Sequence, residues 1–308
     1  MPMGKFGPPY NLCYIIEDSA GDLHVVDPGI DSGENWALLQ QNLRGIGKSV
    51  SDVRAVIATH LHPDHLGLAA RIRAASSARL ILHREEDNAV RELTLGTREE
   101  DVSQRAEGWG VPAAYQGRLA RSKTSAQVSS FPPADLLCED GDRLLVPGRE
   151  LQVIHTPGHT SGHLCLRERQ ERIVFTGDHV LPTINSGVGL GGSASGNQVD
   201  AYLVSLETIA EFDDHVAAPG HEFGFRNIRE RCGSIAAHQL RRTREVRAAL
   251  ESTPHTPVWD LASRLAWSAG WENLSGYMLV SALSQTEMHV DFLRSGLAER
   301  HLQLHGTN

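Results

Sequence analysis

Between His60 and His65 the chain carries three histidines and an aspartate, in the stretch Thr59-His60-Leu61-His62-Pro63-Asp64-His65-Leu66-Gly67. Upstream, the apolar residues Val53, Ala55, Val56, Ile57 and Ala58 predict a buried strand. Downstream, Leu66-Gly67-Leu68-Ala69-Ala70-Arg71-Ile72 predicts a helix. The cluster therefore belongs to a strand-to-helix turn. Neutral imidazoles and a carboxylate are ordinary ligands for a borderline metal ion, and several on one turn can close around an ion without strain. The strand must then deliver this turn to a place where further donors can meet it.

The rest of the chain offers those donors. Residues 11–17 and 23–27 read as two strands joined by the turn Ser19-Ala20-Gly21-Asp22, and apolar residues at helical spacing follow over 36–43. Residues 79–83 read as a further strand. Strands at 143–146 and 151–155 lead to Thr156-Pro157-Gly158-His159. A strand over 164–166 pairs with one over 173–176, which ends in Gly177-Asp178-His179. A helix spans 200–212, and the strand 216–218 ends in Pro219-Gly220-His221-Glu222. Four times, then, a strand ends in a turn that holds a His or an Asp. Strand ends along one edge of a sheet can converge on one point, so the repeated placement says more than any single residue.

Composition narrows the classes. The 308 residues allow a catalytic body and a smaller second unit. A hydrophobic content of 40% and a charged content of 22% describe a soluble globular protein. No run approaches the ~18 apolar residues of a membrane span, and no secretory signal is visible at the N-terminus. Cys13, Cys138, Cys165 and Cys232 are scattered, with no CxxC spacing, which suits a reduced, cytoplasmic setting. The net charge of −9 is uneven: ten Arg against eight acidic residues from Phe225 onward leave the tail at +2 and the body at −11. An acidic body does not suit nonspecific binding to nucleic acid. Residues 85–135, polar and highly charged, predict a helical insertion over the site, with Trp109, Tyr115 and Phe131 supplying apolar contacts there. A glycine-rich loop over 186–196 is expected to be mobile.

His60-x-His62-x-Asp64-His65, followed in order by His159, Asp178 and His221, resembles the metal pattern of the metallo-β-lactamase superfamily over roughly residues 10–222. The resemblance implies an α/β (α+β) fold, the αββα sandwich, and two divalent metal ions. Zinc is the first expectation, and manganese and iron also suit a His/Asp donor set. By the family's pattern His60, His62 and His159 hold one ion, Asp64, His65 and His221 hold the second, and Asp178 bridges both. The implied chemistry is hydrolytic: a hydroxide bridging the ions attacks, one ion polarises the electrophile, and charge developing on oxygen is stabilised. Asp64 is the candidate catalytic residue, holding or accepting the hydroxide's proton. Ligand histidines need partners that fix their tautomers; Asp27 and Thr59 are candidates for that role. His179 is a candidate for the same role or for substrate contact. His163 reads as structural, and His301 and His305 as solvated.

Asp178 at the bridging position separates this pattern from true β-lactamases, and HxHxDH rather than HxExD separates it from the flavodiiron branch. It looks like glyoxalase-II-type thioesterases, lactonases and phosphodiesterases. Glyoxalase II itself is disfavoured, because basic residues that would bind glutathione are not matched. The tail, with helices over 228–250, 259–266 and from 277, then a helix over 286–293 followed by a turn and strand at 295–300, is similar to the winged-helix tail of lactamase-β-2-like proteins. The expected layout is a catalytic domain over 1–225, with its insertion at about 85–135, and a helical, winged-helix-like domain over 226–308. The expected function is metal-dependent hydrolysis of a small acyl substrate: a thioester, ester or lactone. The alternative is a single-strand endoribonuclease or phosphodiesterase of the lactamase-β-2 type, which the tail arginines favour and the net charge opposes. No membrane partner is expected, and a homodimer is compatible with the sequence.

Overall fold

The computed structural model describes residues 1–3, 8–95, 102–119, 131–191 and 196–304. Strand β4 (Arg79–His83) shows what the apolar strand runs do: Leu80 and Leu82 enter one core cluster, and Ile81 between them enters another. Side chains alternate across a strand, so a run that is apolar at every position needs cover on both faces. That cover is a helix layer on one side and a second sheet on the other.

The first sheet has the spatial order β1 (Tyr14–Glu17), β2 (Leu23–Val26), β3 (Val53–Ile57), β4 and β5 (Leu136–Cys138). It is parallel except for the β1–β2 hairpin. The second has the order β10 (Val216–Pro219), β9 (Ile173–Gly177), β8 (Leu164–Glu168), β7 (Leu151–His155) and β6 (Arg143–Leu144), antiparallel except for β9–β10. Ile57, Ile81, Val153, Leu164, Leu166 and Phe175 fill the space between the sheets. Helices α1 (Gly33–Gly45) and α3 (Ala69–Ser76) cover the first sheet with Leu39, Leu43 and Ile72. Helix α7 (Gln198–Ala210), capped by the Asn197 side chain, covers the second with Tyr202 and Leu206. This is the expected αββα sandwich. Among the described residues no helix is long and apolar enough to cross a membrane.

Helices α4 (Arg84–Leu95), α5 (Val102–Gly108) and α6 (Ala113–Leu119) form the described part of the insertion. Residues 96–101 and 120–130 of it, and 192–195 of the glycine-rich loop, lie outside the described residues. The three aromatics do not serve the site as expected. Trp109 is buried with Trp259, Leu279 and Leu283 of the tail, and the Tyr115 ring lies 5.1 Å from that of Trp259. Phe131 belongs to the core under the first sheet. They bind the insertion to its neighbours, because that is where complementary apolar surface lies.

The tail consists of α8 (Ile228–Ser252), α9 (Val258–Arg264), α10 (Tyr277–Arg294) and α11 (Ala298–Leu304). Two expectations fail here. The predicted helices from 277 and over 286–293 are one helix, α10, and the predicted strand at 295–300 gives way to α11, so no wing forms among the described residues of the tail. Gly296, at φ +79, turns the chain after α10. Ala298 and Leu302, four apart in a run of good helix formers, then drop together into the core beside Phe292. His301 is fully buried, with Nε2 2.8 Å from Asp200 Oδ1 of α7, so it is not solvated. His305 lies outside the described residues.

Candidate metal centre

All the ligand-bearing turns reach the same end of the sandwich. His60 and His62 follow β3, and Pro63 opens the single helical turn α2 (Pro63–Leu66), where its missing N–H would be unpaired anyway. That change from extended to helical backbone brings His65 back over His60, their ring centres 4.0 Å apart, with Asp64 beside it. His159 follows β7, Asp178 follows β9, and His221 follows β10. Gly177 at φ +48 makes the turn into Asp178. Gly220 brings bare backbone against the cluster: a Cβ there would lie 2.5 Å from Asp178 Oδ1 and 2.6 Å from His65 Cε1.

The seven predicted ligand residues meet in three interlocking sets: His60, His62 and His159; His60, His65 and Asp178; Asp64, His65 and His221. His62 Nδ1 lies 2.9 Å from His60 Nε2 and 3.2 Å from His159 Nε2. A tetrahedral ion with bonds of about 2.0–2.1 Å separates its donors by about 3.3 Å. Asp178 turns Oδ1 toward His65 Nε2 (3.4 Å) and His221 Nε2 (3.3 Å), and Oδ2 toward His159 Nε2 (3.8 Å). Its carboxylate therefore faces both halves. Asp64 Oδ2 lies 3.5 Å from His65 Nε2 and 3.3 Å from His221 Nε2. His65 Nε2 and Asp178 Oδ1 are buried without hydrogen-bond partners among the described residues. Orphaned polar atoms of this kind are costly, and a cation between them would satisfy both. The donor set fits divalent metal ions.

Electrostatics divides the cluster. Burial, then the neighbouring imidazoles, holds His60 well below the usual histidine range. Burial, then His62, pushes His159 down to about 4. These rings stay neutral, as ligands must. On the other side burial opposes charge, but the carboxylates prevail: Asp64, Asp178 and Asp27 raise His65 well above its ordinary value, and Asp178 and Asp64 raise His221 to about 10. Asp64 is held far below the carboxylate range and Asp178 at about 2, each against its burial, by the facing histidines. This half is built around positive charge.

Every imidazole of the convergent sets also has a partner on its outward nitrogen, as metal-ligating histidines usually do. His60 Nδ1 meets Thr59 Oγ1 at 3.0 Å, and His62 Nε2 meets Leu190 O at 3.1 Å. His65 Nδ1 meets Asp27 Oδ2 at 2.8 Å, His159 Nδ1 meets Gly187 O at 2.7 Å, and His221 Nδ1 meets Tyr10 O at 3.0 Å. Asp27 also accepts from the Thr59 N–H and hydroxyl at 2.8 and 2.9 Å. His163 is structural: its Nε2 accepts the Asp178 N–H at 3.2 Å. His179 gives no nitrogen to the convergent sets; it is fully buried, with its ring edge-on to Tyr202.

Sequence reasoning misses Glu86, inside the supposed polar insertion. Its fully buried carboxylate accepts from Leu61 N at 2.7 Å, Thr160 Oγ1 at 2.9 Å and Gly162 N at 2.8 Å. Burial pushes this carboxyl up to about 7 against the three hydrogen bonds. The only signal is an acidic triplet, Glu85-Glu86-Asp87, directly after a strand; nothing in it says which member turns inward.

A two-sheet sandwich with a His/Asp cluster at one end defines a metal-dependent class of α/β enzyme. The metallo-beta-lactamase superfamily profile matches residues 6–221, and the chain belongs to that superfamily, as one of its hydrolases. It is similar to the hydroxyacylglutathione hydrolase GloC of Haemophilus influenzae, 24% identical over 211 residues, 68% of this chain and 84% of that protein. It is also similar to the atrochrysone carboxyl ACP thioesterase dmxR1 of a Cryptosporiopsis species, 29% identical over 165 residues, 54% of this chain and 46% of that one. A metallo-beta-lactamase family protein of Thermus thermophilus, TTHA1429, superposes with a TM-score of 0.76 at 25% identity, over 96% of this chain and 91% of that one.

Proposed function

We propose that this protein is a dinuclear metal hydrolase acting on a small acyl substrate, with thioesters first and esters or lactones next. The observation that carries the proposal is the two-sided Asp178 carboxylate between a three-histidine set and the Asp64, His65 and His221 set. His60, His62 and His159 would hold one ion, Asp64, His65 and His221 the other, with Asp178 shared. Two divalent cations at such a site supply an activated water and polarise the acyl carbonyl. The chain's own contribution is positional and protic. Asp64, kept anionic beside His65 and His221, is the residue to accept a hydrogen bond from the water and so orient its proton. The hydrogen bonds of Gly187 and Leu190 to His159 and His62 fix the segment beside these rings. The names of the two relatives support thioesters as the first class to test.

Four of the tail arginines give little support to an RNA substrate, because they are engaged within the chain. Arg231 donates to Leu181 O and Ile184 O, and Arg242 stacks on Trp267 and donates to Ala266 O. Arg241 donates to His238, and Arg247 pairs with Glu299. The test is turnover by metal-loaded protein on an acyl-thioester panel beside a single-stranded RNA, with an Asp64→Ala, His65→Ala double variant as blank. Thioester cleavage absent from the blank is expected. RNA cleavage absent from the blank, with every acyl substrate inert, would reverse the assignment.

A further inference from the structure

We infer that Glu86 is a positioning residue that assembles the His60, His62 and His159 set by clamping together two turns from different sheets. This rests on the dinuclear reading above. Leu61, whose N–H it receives, lies between His60 and His62 on the turn after β3. Thr160, whose hydroxyl it receives, directly follows His159 on the turn after β7, and Gly162 lies two residues further on. Each bond ends next to a ligand or within three residues of one. β3 and β7 lie in opposite sheets, so no strand ladder runs between these turns. One backbone bond, Leu164 N–H to Thr59 O at 3.0 Å, joins them, and the Glu86 carboxylate at the start of α4 adds three side-chain bonds close to the ligands.

The fit around it is tight. A Cβ on Gly162 would lie 2.7 Å from Glu86 Oε2 and would also collide with the Glu86 backbone nitrogen. Only a glycine lets the His159 turn come close enough to be held. The clamp is also one-sided. His65 and His221 take their support elsewhere, His65 from Asp27 and His221 from Tyr10 O. Loss of the clamp should therefore loosen one ion and spare the other.

Two kinds of variant reach the clamp from opposite ends. Glu86→Gln keeps the size but presents an NH2 group to one of three donors. Gly162→Ala leaves Glu86 intact and pushes the turn away from it. Thr160→Val removes one of the three bonds and keeps the inference testable should the others fail to fold. Metal-free protein is titrated with zinc against a chromophoric chelator. It is then loaded with cobalt, and the paramagnetically shifted imidazole N–H resonances of the two halves are followed.

Wild type is expected to take up two ions. Glu86→Gln and Gly162→Ala should each weaken one of them about 10–100-fold, the range usual for groups that orient ligands, with Thr160→Val weaker in the same direction. The lost cobalt-shifted signals should be those of His60, His62 and His159. If wild type takes up fewer than two ions, the dinuclear reading fails, whatever Glu86 does. Two ions bound with unchanged affinity in all the folded variants would overturn the clamp and leave that reading standing. Equal weakening of both ions would overturn it as well.

Discussion

At the scale of single residues, the chain keeps several histidines neutral by burying them, and the consequence is measurable away from the metal site. His289 on α10 is buried against Thr243, 3.0 Å away, and burial, then Arg242 and His238, lowers its pKa to about 3. In the unfolded chain the same ring titrates near 6.5. The folded state refuses a proton that the unfolded state accepts, so this contribution is complete above about pH 6.5 and is lost as pH falls below it. His289→Asn should flatten the fall in unfolding free energy between pH 6 and 4 by up to about 1.4 kcal/mol per pH unit. Urea denaturation of both proteins across that range checks this, since metal release affects both alike; parallel slopes would refute it. The convergent His and Asp residues were legible in the sequence because His60 to His65 is contiguous and the other donors follow strand ends. Glu86 and His301 were not, because a polar side chain is turned inward by partners distant in the chain: Leu61 and Gly162 for one, Asp200 for the other.

At the scale of elements, strand ends do the positioning, and glycine lets a helix press against them. Gly158, one residue before His159, has φ +135, and a Cβ there would sit 2.6 Å from Tyr202 Cα and 2.5 Å from Tyr202 Cβ on α7. Its carbonyl also receives the Gly189 N–H at 2.7 Å. Gly158→Ala combines a backbone region that costs about 1–3 kcal/mol for a side-chain-bearing residue with a collision against main chain. It should lower the unfolding free energy of the metal-free protein by more than about 2 kcal/mol. A urea midpoint matching wild type would show that α7 yields freely. The same scale explains the missing wing. The strands of the sandwich announce themselves by apolar, β-branched runs such as residues 53–58 and 151–154. Residues 298–304 carry no such run, and their state is set by the groove that α7, α8 and α10 leave for Ala298 and Leu302.

At the scale of the whole molecule, the tail and the sandwich share a core. Tyr202, Leu203, Leu206 and Ile209 of α7 lie in one cluster with Ile228, Ile235 and Leu240 of α8, Phe292 of α10 and Leu302 of α11. The sequence predicts helix for most of the tail from residue 226, but not which face of each helix is already spoken for. Each of these side chains contributes about 1.5–3 kcal/mol when fully buried. Five from the tail together match the 5–15 kcal/mol by which a whole domain is usually stable. We propose that the boundary near residue 225 separates two stretches of sequence and not two independently stable units. The full chain should then unfold in one calorimetric transition, with van't Hoff and calorimetric enthalpies equal. A chain ending at Phe225 should fail to accumulate as soluble folded protein, because the α7 face would meet water. Two resolved transitions, or a soluble residue 1–225 fragment melting at the full-length temperature, would show that the sandwich stands alone and that the tail is only an appended cover.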